Sequence, residues 1–147
     1  MIVDATTALL AQLNSVAGLA NNVGMSVGGA ASDPTSNLMP TPGAWVVYVG
    51  KVPATAGTTM PNGMTPRGVV IRVLFSVMVF LDNSKGQNHL NTVGMPLLEE
   101  IIASVRGVTV PLGEANGFRF TFEGERLHAV TASRLSYEQI YSIIMHL

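Results

Sequence analysis

Residues 24–28 read "GMSVG". This is the spacing of a nucleophile elbow, in which a serine hydroxyl, here Ser26, is held between two glycines for attack on an acyl carbonyl. Such a serine needs a base and a group that orients the base. His89 or His128 could take the proton, and an acid such as Asp82 could hold the imidazole. The motif requires a strand before the serine and a helix after it. Here a helical stretch precedes it and "GAASDP" follows. A hydrolase sheet of this kind also demands a longer chain. The match is read as chance, and a small serine hydrolase is kept only as the alternative to be tested.

The remaining reactive side chains are scattered. His89, His128 and His146 share no metal-ligand spacing with one another or with a carboxylate on one helix. Glu99 and Glu100 are adjacent on a helical segment, where neighbours do not face each other, so they read as a solvated face. Glu123 and Glu125 flank Gly124, and an exposed turn shifts a pKa little. There is no phosphate-cradling glycine loop. The absence of cysteine excludes disulfides, thiol chemistry and thiolate metal sites. No catalytic residue, metal or cofactor is expected.

The elements that would position a site are more legible. The chain has 147 residues, the size of one domain, and is read as a single domain over 1–147. Hydrophobic residues make up 48% but charged residues only 12%, about half the usual share. A domain so short of charge has difficulty covering its outside with solvated groups, which favours burial in an assembly. The net charge of −1 gives no basic footprint for nucleic acid and no basic helix for a membrane surface. The N-terminus carries Asp4 and no basic start, unlike a secretory signal.

The stretch "VVIRVLFSVMVFL" (69–81) has eleven apolar residues of thirteen. As a helix it would reach only about 20 Å, short of a bilayer core of about 30 Å, with Arg72 inside it. Its β-branched residues favour a strand. With period two, Val69, Ile71, Val73, Phe75, Val77, Val79 and Leu81 form one wholly apolar face. Val70, Arg72, Leu74, Ser76, Met78 and Phe80 form the other, which is still too apolar for open water and needs a helix, a loop or a neighbouring subunit over it.

Around this strand, residues 5–20 have helical spacing and 21–43 form a connection. "AWVVYVG" (44–50) is a strand, with Trp45, Val47 and Val49 on one side and Val46 and Tyr48 on the other. Residues 51–68 hold three prolines, three glycines and four threonines, too irregular for a strand or helix. They read as a long arm on a β-hairpin, expected to become ordered against a neighbouring subunit or another partner. Its Lys51, Met60, Met64 and Arg67, with Arg72 and Ser76 on the following strand, are the expected interface. Residues 82–89 are a connection, and 90–106 a helix with Pro96 in its first turn and Gly107 as its stop. "FRFTF" (118–122) alternates, "EG" (123–124) reads as a two-residue turn, and 125–135 and 137–147 read as strands. The order α-β-β-α-β-β-β gives an α+β fold: a mostly antiparallel sheet of about five strands packed with two main helices.

The succession "TPGAWVVYVG", a Pro/Gly loop, "RGVVIRVLFSVMVFLDNSKGQNHLN", "LLEEIIASVRG", "GFRFTFEGERL" and "YEQIYSIIM" resembles the tail terminator (tail completion) proteins of tailed bacteriophages, in particular the Mu-like contractile-tailed type. It covers most of residues 40–147. The resemblance implies a virion protein of the tail or neck, assembled in the bacterial host cytoplasm. It implies a homo-oligomeric ring, a hexamer, that caps the tail tube, ends its polymerisation and joins it to the head. The implied partners are other copies, the tube and sheath proteins and a head-neck stopper protein. DNA passes through the lumen without specific binding, and no cofactor or membrane is involved. Another neck or tube-associated ring protein is the near alternative. A small-molecule-binding domain, with one apolar pocket closed by the long loop, is the remote one.

Overall fold

The computed structural model describes residues 2–25, 41–53, 70–112 and 115–146. Helix α1 (Ile2–Asn14) leads through a 3-10 turn (Ala17–Leu19) into β1 (Val23–Met25). Strands β2 (Gly43–Pro53) and β3 (Val70–Asp82) follow, then α2 (Gln87–His89), a π turn (Leu90–Gly94) and α3 (Met95–Arg106). The chain ends with β4 (Thr109–Leu112), β5 (Ala115–Arg119), β6 (Thr121–Val130) and β7 (Arg134–His146). Five strands form one sheet in the order β1-β2-β3-β7-β6, and β4-β5 form a two-stranded sheet. Only β1–β2 is parallel; the other pairings are antiparallel. The α+β class and the five-stranded, mostly antiparallel sheet are those expected.

Strand β3 is central, paired along its length with β2 and β7. Its alternation works as read. Val73, Phe75, Val77 and Val79 are fully buried, with Ile71 and Leu81 nearly so. They meet α1 through Ala5, Leu9 and Leu13, and α3 through Leu97, Leu98, Ile101 and Val105. Both helices therefore lie on one face of the sheet, each laying down a stripe at helical spacing. Each fully buried Leu, Ile, Val or Phe contributes about 1.5–3 kcal/mol. The Gln12 amide donates to Ser104 Oγ at 2.9 Å, tying α1 to α3.

A polar seam crosses this otherwise apolar layer. Gln139 on β7 is fully buried. Its amide nitrogen donates to the Leu98 carbonyl at 3.1 Å and to Glu125 Oε2 at 2.7 Å. Its amide oxygen accepts from the Tyr141 hydroxyl at 2.8 Å. Burial, with the Glu125 charge second, pushes the Tyr141 phenol well above its ordinary range. The seam fixes α3 over β6 and β7, because slippage would strand these groups without partners.

Several sequence expectations are corrected. Helix α1 stops at Asn14 rather than near residue 20. The Ser15 hydroxyl turns back onto the Gln12 carbonyl, and Ala20 and Asn21 take left-handed conformations that no helix continues through. The connection after it contains β1, which is short enough to lack any periodic signal. Gly24 is required there, since a Cβ would come within 2.6 Å of the Trp45 ring lying across it. "TVPL" forms β4, hidden by Pro111, and pairs with β5. Glu123–Gly124 is not a turn. It lies inside β6 at a bulge, where the register shifts between Phe122 and Gly124. The β6–β7 hairpin closes instead at 131–133, where Asn83 Nδ2 donates to the Thr131 carbonyl and Arg134 N to Thr131 Oγ1. Before α3, the Met95 N–H bonds to the Leu90 carbonyl in a π turn, beside Pro96, which has no N–H to offer.

Candidate functional site

The face of the sheet away from the helices is the candidate site. Register assigns its members. On β2 they are Trp45, Val47 and Val52, opposite Met78, Ser76 and Arg72 of β3. On β7 they are Ser136, Glu138, Ile140, Ser142 and Ile144, opposite Phe80, Met78, Ser76, Leu74 and Arg72. Arg126 of β6 faces Glu138 and closes an ion pair with it at 2.9 Å.

The two ends of this face differ. At one end Met78, Phe80 and Ser136 are buried, and the Arg134 guanidinium lies 5.2 Å over the Phe80 ring. At the other end Val52 and Ile144 are exposed, and Leu74 and Ile140 are half-buried. Val49, at the β2 bulge, is 55% exposed. Gly50 beside it has φ 151, a value that side-chain-bearing residues avoid, which lets the strand bend there.

Among the described residues, three buried side-chain atoms lack a hydrogen-bond partner: Trp45 Nε1, Arg72 Nε and Ser76 Oγ. All three belong to this face and none to the helix-covered one. Arg72 Nε lies 3.9 Å from Glu123 Oε1, beyond hydrogen-bond range. Glu123 instead accepts a short hydrogen bond from the Ser142 hydroxyl. A buried polar group without a partner costs about 1–3 kcal/mol. The indole and the guanidinium Nε can only donate. Beside these buried donors, Val52 and Ile144, with half-buried Leu74 and Ile140, form an apolar patch.

Of the residues expected at an interface, Arg72 and Ser76 lie on this face. Lys51 is exposed but pairs with Val73, so it belongs to the opposite side of the sheet. Met60, Met64 and Arg67, with the arm over 54–69, lie outside the described residues. Trp45 was read from sequence only as a strand residue. Its being the one tryptophan in a chain poor in charge is the signal that could have singled it out.

The hydrolase residues are not gathered. Ser26 lies outside the described residues. A strand, β1, does precede it, contrary to the sequence reading, but that strand pairs parallel at the sheet edge and ends at Met25 beside Val46. Val46 pairs with Val77, five residues from Asp82 on β3, or roughly 17 Å along the strand. Asp82 is committed to its own turn, accepting from Ser84 N and Ser84 Oγ at 2.8 and 2.6 Å. Those bonds, with help from Lys85 and His89, hold its carboxyl below the usual range. Asp82 and His89 line a cleft of only about 20 Å³, room for little more than a water. His128 sits exposed on β6, at the far edge of the sheet. Among the described residues, no three His, Cys, Asp or Glu side chains cluster as a metal site, and no helix is long and apolar enough to cross a membrane.

No protein-family model and no curated protein matches the chain. Among solved structures, its fold is similar to that of a chain in the virion of a native gene transfer agent particle. The likeness has a TM-score of 0.56 at 15% identity and covers 96% of this chain and 93% of that one.

Proposed function

We propose that the chain is a structural virion protein that assembles into a homo-oligomeric ring, a hexamer. The ring caps the tail tube, ends its polymerisation and joins the tail to the head-neck region. Its partners are its own copies, the tube and sheath proteins and a neck stopper protein, and DNA crosses the lumen without specific binding. The ring assembles in the bacterial host cytoplasm and needs no cofactor and no catalytic step.

The observation that carries this reading is the sheet face away from the helices, where exposed Val52 and Ile144 lie at one end and three buried polar atoms have no hydrogen-bond partner among the described residues. A surface of that kind is costly alone and favourable once a neighbour supplies apolar cover and acceptor oxygens. The low charge content, the fold likeness to a gene transfer agent virion chain over nearly all of both chains, and the resemblance to tail terminators support the same reading. A continuous ring requires a head-to-tail contact between two different patches. The sheet face around Arg72 and Ile144 is one of them.

Sedimentation and negative-stain electron microscopy of the purified chain test the proposal. The expected particle is a ring of about six 15.5 kDa subunits. A monomer at every accessible concentration would overturn the ring. The near alternative, another neck or tube-associated ring protein, is separated by where a labelled copy sits on the particle.

A further inference from the structure

The geometry points to a second docking site, beside β6 at the end of α3, that takes an acidic peptide segment of a partner protein. Arg106 at the end of α3 and Arg119 at the end of β5 line one open recess of about 480 Å³ with Phe120, Thr121 and Phe122. Both arginines are exposed, and Phe120 is buried at the floor. The other described cations, apart from Lys51, have partners. Arg72 faces Glu123, Lys85 faces Asp82, Arg126 pairs with Glu138 and Arg134 covers Phe80. No acid among the described residues answers Arg106 or Arg119. Two guanidiniums with no acidic partner among the described residues thus share one recess in a chain with eight basic residues.

The chemistry of the walls selects the ligand. Guanidinium forks recognise carboxylate or phosphate oxygens. The recess is far larger than one inorganic anion, and the half-buried Phe122 offers apolar contact beside the charges. That pairing fits a peptide carrying a carboxylate next to an apolar side chain. Nucleic acid is a poorer fit: tight binding to its backbone takes many cations, and the chain has a net charge of −1. The chain's own Glu99 and Glu100 are exposed, but they share α3 with Arg106. Seven residues of helix separate Glu99 from Arg106 by about 10 Å. In a ring without twofold axes a second copy could present these acids only close to the ring axis. The choice of a different protein over a second copy rests on that reading; the site itself does not.

The test uses the intact chain and a short fluorescein-labelled peptide alternating leucine and aspartate, followed by anisotropy. A leucine–asparagine peptide of equal length and a labelled DNA duplex are the comparisons. The acidic peptide should bind saturably and more weakly as salt rises, and the asparagine peptide should not bind. Arg119→Gln and Arg106→Gln should each weaken binding about tenfold or more, with partial recovery in Arg119→Lys. Sedimentation of the same samples reports the ring separately, so loss of one reading leaves the other standing. Equal binding of both peptides, or of the acidic peptide to both glutamine variants, would overturn the site. Tighter binding of the duplex, lost in the glutamine variants, would replace the peptide with nucleic acid. A doubling of particle mass abolished by Arg106→Gln would replace it with a second copy.

Discussion

Strand β3 shows two different solutions to burial on its two faces. Toward the helices, every β3 side chain from Ile71 to Leu81 is apolar, and the described buried polar groups of the layer are bonded, Gln139 through both its nitrogen and its oxygen and Thr6 to the Ile2 carbonyl. Away from the helices, Arg72 and Ser76 interrupt the apolar run, and each has a buried atom with no partner. The first face is complete within one chain. The second has the composition of an interior and the satisfaction of an interface awaiting its mate. Saturation of hydrogen bonds, more than hydrophobicity, separates the helix-covered core from the proposed docking face.

The contrast is broken most severely by Val73→Asp. An unpaired charge in the completed face costs several kcal/mol, enough to abolish folding by circular dichroism. A folded, soluble variant would mean that the helix-side face is misassigned. Gln139→Ala ranks next, since it opens a cavity and leaves Tyr141 and Glu125 without their shared partner. A loss of about 2–4 kcal/mol in chemical denaturation is expected. Ile144→Asp or Val52→Asp, at the exposed end of the other face, should cost the subunit less than about 1 kcal/mol yet abolish the proposed ring in sedimentation. If either unfolds the subunit, that face belongs to the core.

The two orphaned groups on β3 sharpen the comparison further. Ser76→Ala removes an unsatisfied hydroxyl and should leave the isolated subunit unchanged or about 1 kcal/mol more stable, while weakening assembly. Marked destabilisation of the monomer would reveal a partner within the chain. The smallest effect is that of pH. The raised Tyr141 phenol stabilises the fold below an unfolded pKa of about 10 and loses that contribution as pH climbs further. Melting temperature should therefore fall more steeply above about pH 10 in the native chain than in Tyr141→Phe. Asp82, whose carboxyl is lowered, contributes in the opposite sense. Its effect is present at neutral pH and is lost as pH drops below the ordinary carboxylate range.

Legibility followed the physics of each signal. The β3 alternation and the α3 stripe were readable because burial on one face repeats at a fixed period over many residues. β1 was not, since three residues carry no period. Glu123–Gly124 has the composition of a turn, but the cross-strand register with β7 turned it into a bulge. β4 was missed because Pro111 argues against a strand, a penalty that a two-stranded sheet leaves room to avoid. At the site, Arg72 and Ser76 stood out as polar residues in an apolar run. The unpaired state of Trp45, and the meeting of Arg106 with Arg119, depend on which strands are neighbours, and no local pattern encodes that.

The position of β7 has a consequence for biosynthesis. It is the last element of the described chain, yet it lies between β3 and β6 in the sheet. Until it emerges from the ribosome, the most hydrophobic strand of the protein has one long edge with every backbone amide and carbonyl open to any passing chain. Helices α1 and α3 can form early, but they cover a face and leave that edge bare. Closure must wait for pairings that run from Val70 with His146 to Asp82 with Arg134, contacts between residues far apart in sequence. Folding dominated by such contacts is slow, in the range of milliseconds to seconds. Nascent chains stalled or truncated near residue 130 should therefore enter inclusion bodies, whereas full-length chains from the same messenger stay soluble.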